Sequence, residues 1–323
     1  MRRILFGGLA LFLVIAEPQA GRAQDWPSRP IKLVVPFSPG GTADTLGRVF
    51  ARAMSDNLGQ QVYVENRGGA GGMTASAQVA RAEPDGYTLV VSGVASHVIA
   101  PVLSARPDYD PMRDFTHIAY FGGPPIVVVA HPSLGVSTFE QLVTLLRGAP
   151  EPQSYGSPGV GTQGHLVAAY LAQKLDLKLA HVPYKGANPA MFDLIGGHIK
   201  LASITWTTAL AHIESGAVVP IAMTASKRLA GFPAVPTFAE SGLPDLLATT
   251  WFSLSGPPGL SPGIVDRLNR EVVKTLDTAE VRARLAQEGI EAEKLDAATF
   301  TAFVQSEIAR WTPIVKSIGA KAE

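Results

Sequence analysis

The sequence predicts an α/β protein of two lobes, each a mostly parallel sheet flanked by helices, with a ligand cleft between them. Three observations carry this reading. Short β-branched runs alternate with helical patterns, and the runs lack the in–out alternation of half-exposed strands, so they belong in sheets covered on both faces. The succession of strand, Ser-Pro-Gly turn and helix occurs twice, at 31–58 and at 153–175. Gly/Pro clusters at 122–125 and 257–259 bracket the middle of the chain, as expected where it crosses from one lobe to the other and back.

Length and composition bound the rest. The 323 residues suffice for two lobes, and 46% hydrophobic residues suffice for their cores. A formal charge of zero without a basic run excludes the footprint of a nucleic-acid binder. Absence of cysteine removes thiol catalysis, disulfides and Cys-based zinc sites. Arg2 and Arg3 precede the apolar Ile4–Ala16, with Pro18 and Gly21-Arg-Ala23 beyond it. That is the form of a secretory leader, residues 1–23, cleaved after Ala23. The apolar run is shorter than the roughly 20 residues that span a bilayer. A mature soluble protein of the bacterial periplasm is expected, monomeric by default, and a chain of this size needs no disulfide there.

In order, Ile31–Phe37 reads as a strand, Thr42–Leu58 as a helix and Gln61–Glu65 as a strand. A Gly-rich turn at 67–72, a helix through Arg81 and a strand at Tyr87–Ser92 follow. His117–Phe121 and Ile126–His131 are strands on either side of the first crossing. Helix Thr138–Arg147, a strand around Tyr155, helix Thr162–Leu175 and strand Leu177–Val182 open a second series. Helix Pro189–Ile195, strand Ile199–Thr205, helix Thr207–Ser215 and strand Val218–Thr224 complete it. Trp251–Ser255 leads to the second crossing, and helices at 262–276, 279–288 and 297–318 close the chain. The expected lobes are therefore 24–125 with 256–323, and 126–255.

The two strand–turn–helix junctions are the candidate site. A helix N-terminus has unpaired N–H groups and roughly half a positive charge, so it holds an anion without Lys or Arg. At the first junction, Phe37 and Pro39 belong to the loop expected to contact the ligand. Ser38, Thr42 and the amides of Gly40 and Gly41 are donors to a carboxylate. Asp44 either touches the ligand or pairs with Arg48 one turn on. The second junction runs Ser157-Pro-Gly159-Val-Gly-Thr162-Gln-Gly-His165. Its GxGxxG spacing lacks the acidic residue that a dinucleotide site needs at the end of the next strand. His165 either faces the ligand or bonds to backbone. Ser92 ends a strand, where ligands collect in open α/β sheets, and Tyr184-Lys185 follows another strand end, with Lys185 offering a formal positive charge. Enzyme signatures are weak. Tyr155 stands where a nucleophile elbow at Ser157 would need Gly, and no two of the seven His form a zincin motif. No cofactor or metal is expected.

Trp26-Pro…Pro30-Ile…Val35-Pro-Phe-Ser-Pro-Gly-Gly-Thr-Ala-Asp44…Arg48 resembles the opening of the substrate-binding proteins of tripartite tricarboxylate transporters, the Bug family. Val64-Glu-Asn-Arg67 with 69–72, Asp85-Gly-Tyr87, Gly161-Thr…His165-Leu166, Val182-Pro-Tyr-Lys-Gly186 and Trp251-Phe-Ser-Leu fit its later motifs. The resemblance implies a bilobal, type II-like periplasmic-binding-protein fold that closes on a small organic acid. It also implies that the ligand's carboxylate is held by loops Phe37–Thr42 and Ser157–His165, partly through water, and delivered to membrane permease subunits. Ser203-Ile-Thr-Trp206 stands where many members carry Asp or Asn, so the distal pocket is expected to differ. The alternative is an exported α/β enzyme acting on a small carboxylate, with His165 as its base.

Overall fold

The structure, a computed structural model, describes residues 26–244, 246–290 and 292–318, so the leader lies outside the described residues. Two five-stranded sheets organise the chain. The first contains β1 (Ile31–Val35), β2 (Val62–Asn66), β3 (Thr88–Gly93), β4 (Thr116–Gly122) and β10 (Phe252–Gly256), in the order β2-β1-β3-β10-β4. The second contains β5 (Ile126–Ala130), β6 (Gln153–Ser157), β7 (Leu179–Pro183), β8 (Leu201–Thr205) and β9 (Val219–Met223), in the order β7-β6-β8-β5-β9. The orders match position for position. In each sheet four strands run one way and one runs against them, β10 in the first and β5 in the second. The reversed strand is the one that has just arrived from the other lobe.

That placement corrects the expected boundary. Residues 252–255 were expected in the second lobe, but β10 pairs with β3 and β4 in the first. The return crossing lies before β10: Thr249 bridges Pro125, and the Thr250 N–H donates to the Pro124 carbonyl at 2.9 Å. The two crossings therefore run side by side as a narrow ribbon. Pro257–Gly259 instead turns the chain from β10 into α8 (Pro262–Leu276).

The central strands are buried because helices cover both faces, while the edge strands β2 and β7 stay partly exposed. On α1 (Thr42–Leu58), Leu46, Phe50, Met54 and Leu58 recur at helical spacing and are buried against the first sheet, in one core with Leu33, Val35 and Phe121. Gly59, left-handed, ends the helix with an N–H bond back to Ser55. In the second lobe, α4 (Phe139–Gly148) starts with a capping box of Thr138 and Gln141, while α5 (Gln163–Leu175) is capped by the Thr162 hydroxyl, which accepts from the His165 amide. A short π-helical turn at Ala95–Ile99 and α3 (Ala100–Leu103) follow β3 and were not foreseen. The last helix, α10 (Ala297–Ile318), packs against both β4 and α5. Its buried Phe300, Val304 and Trp311 join a core that includes Tyr120 and Trp251 at the crossings and Leu166 of the second lobe.

Candidate ligand site between the lobes

The lobes meet along the face where β1 and β6 deliver their loops. Ser38 donates through its amide (3.0 Å) and its hydroxyl (2.9 Å) to the Lys185 carbonyl across the cleft. Thr42 and Thr205 share a hydroxyl–hydroxyl bond of 2.7 Å, and Thr205 continues it to Thr208 at 3.0 Å. Each such bond is worth about 1 kcal/mol net, so this latch is weak enough to open thermally.

Beneath the latch lies a cavity of about 40 Å³. Four helix N-termini reach it: Gly41–Ala43 of α1, Thr162–Gly164 of α5, Ala187 at the start of α6 (Ala187–Ile195), and Thr205, the N-cap of α7 (Trp206–Glu214). Phe37, Ala95, Ile126, Pro158 and Phe252 supply apolar walls. No Lys, Arg, Asp or Glu lines it among the described residues. Its field therefore comes from peptide dipoles, each helix end contributing roughly half a positive charge. At about 30 Å³ per water, its volume suits one group the size of a carboxylate. Phe37 and Pro158 also border a larger cavity of about 540 Å³, lined further by 69–73, Leu103–Arg106, Gly159–Gly161 and Pro183–Lys185.

The residues singled out in the sequence divide into three groups. Phe37, Gly41, Thr42 and Thr162 line the inner cavity, while Gly159, Tyr184 and Lys185 line the larger one with Phe37. A second group builds the loops without lining either cavity. Asp44 takes up the ion-pair alternative: its carboxylate accepts from the Gly40 amide (3.0 Å), Arg48 Nε (2.9 Å) and Asn66 Nδ2 (2.9 Å). Burial alone would raise the Asp44 carboxyl, but bonds from Arg48, Gly40 and Asn66 outweigh it and hold it below the ordinary value. Ser38 is spent on the latch. Pro39 and Gly40 lie in the turn between them, and Gly40 needs its glycine: φ is +85°, and a Cβ would stand 2.5 Å from Asn188 Nδ2.

Ser157 and His165 belong to the same supporting group. Ser157 Oγ and His181 Nε2 share a 2.6 Å bond, the His181 ring stacks on His165 at 4.2 Å, and His165 Nδ1 accepts from the Gly161 amide at 3.4 Å. Burial holds the imidazole of His165 at a pKa of about 4. Burial and the neighbouring His165 hold that of His181 at about 3, so both rings are neutral near pH 7. Here the backbone-bonded alternative for His165 holds.

Ser92 is a correction. Its hydroxyl bonds Ser253 and Ser255 at 2.7 Å each inside the first sheet, so a strand distant in sequence takes the group expected at the ligand. Trp206 and Ile204 are fully buried in the second lobe's core rather than in a distal pocket. Thr205 between them does reach the inner cavity, as do Ala187, Gln163 and Thr250, which the sequence did not single out. Thr205 and Ala187 begin helices just after strands, the same pattern as the two recognised junctions. Without a Ser-Pro-Gly turn, nothing local ranked them.

A model of the tripartite tricarboxylate transporter family receptor matches residues 46–320. The chain belongs to this receptor family. Among its relatives, protein BugT of Bordetella pertussis (strain Tohama I) is 34% identical over 98% of each chain. The periplasmic binding protein BugD superposes with a TM-score of 0.88 at 31% identity, over 92% of this chain and all of that one. MatC of Rhodopseudomonas palustris, solved with bound malate, gives 0.85 at 31% identity, over 90% of this chain and all of that one. A receptor family leaves no place for the enzymatic alternative.

Proposed function

We propose that this receptor works in the periplasm, captures a small organic acid with its carboxylate in the inner cavity, and passes it to the membrane subunits of a tripartite transporter. The leader through Ala23 and the periplasmic relative BugD support the compartment. The observation that carries the ligand class is the convergence of four helix N-termini on a carboxylate-sized space with no charged side chain in its wall among the described residues. The malate held by MatC is of that class. The loops Phe37–Thr42 and Pro158–Thr162 grip the acid, Asp44, Ser157 and His165 hold those loops in shape, and the acid's remainder extends toward Tyr184 and Lys185. Entry needs the latch of Ser38 and Thr42 to break and the ribbon at 123–125 and 249–251 to flex, which is hinge closure about a ligand.

A thermal-shift panel of mono-, di- and tricarboxylates tests this. An acid at a hundred times its Kd adds about 2.7 kcal/mol and raises Tm by several degrees. Calorimetry on the hits should give one site per chain, with the acid recovered unchanged. No shift with any carboxylate would remove the reading.

A further inference from the structure

Among the described residues, Gln163 is the one side-chain amide that lines the inner cavity, and half of it has no partner there. It is the first residue of α5 and is 1% exposed. Its Oε1 accepts the Thr250 hydroxyl at 2.6 Å, a bond that ties the second lobe to the return crossing. Its Nε2 has no hydrogen-bond partner among the described residues. A buried amide donor left unpaired forfeits its bonds to water without replacement, so such a group calls for an acceptor that the protein itself does not provide. Thr250 lines the same cavity, and its hydroxyl donates to the oxygen end of the amide. Since the hydroxyl proton goes to Oε1, the two N–H groups are the free end. That polarity agrees with the helix ends beside it, which also present donors.

We propose that Gln163 is a specificity-determining residue: its Nε2 donates to an acceptor oxygen next to the ligand's carboxylate, selecting 2-hydroxy or 2-oxo acids over 2-amino acids. This rests on the carboxylate reading above and names the class of acid within it. An ammonium group at the same position would meet an N–H donor and the positive helix ends. Among the described residues, neither cavity offers an aspartate or glutamate to neutralise it. A hydroxyl or carbonyl oxygen accepts the amide proton and satisfies the unpaired donor, and the mismatch works in both directions.

The test uses pairs of acids that differ only in this group: malate with aspartate, lactate with alanine, 2-hydroxyglutarate with glutamate, and phenyllactate with phenylalanine. Calorimetry on the full mature chain should show the hydroxy acid of at least one pair binding ten-fold or more tighter than its amino partner. Gln163→Met keeps length without the donor and should cost that hydroxy acid about 10–100-fold in affinity, the range of a hydrogen bond to a charged or buried group. Gln163→Glu places an anion in the cavity. It should weaken every acid but invert the pair, so that the amino acid becomes the better ligand of the two. Inversion is a readout that mere structural damage would not produce. Circular dichroism and the Tm of each variant confirm folding. Should the wild type bind amino and hydroxy acids equally, or Gln163→Met bind the hydroxy acid as tightly as wild type, the role of Gln163 is overturned while the carboxylate reading stands. Should no acid of any pair or of the wider carboxylate panel bind, both fall together.

Discussion

Gly41 and Asp44 show how single residues divide the work of the site. Gly41 has ordinary extended φ/ψ as the N-cap of α1, and a Cβ there would lie 3.9 Å from Ala187 Cβ, in plain contact. The backbone therefore tolerates a side chain, but the branches of a valine would enter the inner cavity. Gly41→Val should leave Tm within about 2 °C of wild type while abolishing binding to the acids that shift the wild type. Unaltered affinity would take the α1 junction out of the site. Asp44→Ala removes a buried carboxylate, strands the Gly40 amide and leaves Asn66 Nδ2 with only its bond to the Phe37 carbonyl. Denaturant titration should show a loss of about 1–3 kcal/mol, with weakened binding because the loop's donors lose their aim. Both residues were legible in the sequence as members of one loop. Which of them faces the ligand was not, because Asp44 chooses among partners at positions 40, 48 and 66, and only the packed β2 brings Asn66 within reach. Ser92 fails for the same reason: its partners lie on β10, some 160 residues away in sequence.

At the scale of elements, helix ends rather than side-chain charges dominate the inner cavity. Peptide dipoles at short range among buried residues are little screened, whereas an exposed cation would be screened within a Debye length of about 8 Å at physiological salt. Affinity for the bound acid should therefore fall by no more than about three-fold between 50 and 500 mM NaCl, measured by calorimetry. A steep fall, removed by Lys185→Gln, would move the main anchor to the larger cavity. The strand–turn–helix junctions at β1–α1 and β6–α5 were readable because each is local: a β-branched run, a Pro/Gly turn and an amphipathic pattern within some thirty residues. The starts of α6 and α7 carry the same physics without the turn signature. Their part in the site depends on β7 and β8 lying on either side of β6 in the second sheet.

At the scale of the whole molecule, the buried histidines set the acid limit. Burial holds His117 and His165 at pKa values of about 4. Burial together with a neighbouring imidazole lowers His181 to about 3 and pushes His97 well down. The unfolded chain protonates them near 6.5. Above that pH both states are neutral and these groups contribute nothing to the pH dependence. Below it the unfolded state binds protons that the folded state refuses until about pH 4, so stability must fall as pH drops from 6.5 to 4. Asp44, lowered by its partners, adds a further loss in more acid solution. Tm measured across pH 4–8 should be level above 6.5 and decline steadily below it. A level profile down to pH 4 would mean that the rings protonate without unfolding. Closure is a second whole-molecule property: the sheets repeat one strand order, each carries one reversed strand that has crossed from the other lobe, and hydroxyl and amide bonds from Ser38 and Thr42 tie the mouth.

The sequence by itself determined the α/β class, the two-lobe plan, the two loops that begin α1 and α5, and the receptor family, because each is written in short-range patterns of apolar runs, turn residues and spaced motifs. Tertiary structure decided the rest. It set where the return crossing falls, which of the marked residues line the cavity and which brace it, and that α6, α7 and Gln163 join the site. Those outcomes depend on strand order and on partners far apart in the chain, and no local pattern encodes the distance between two elements that meet only after both sheets have formed.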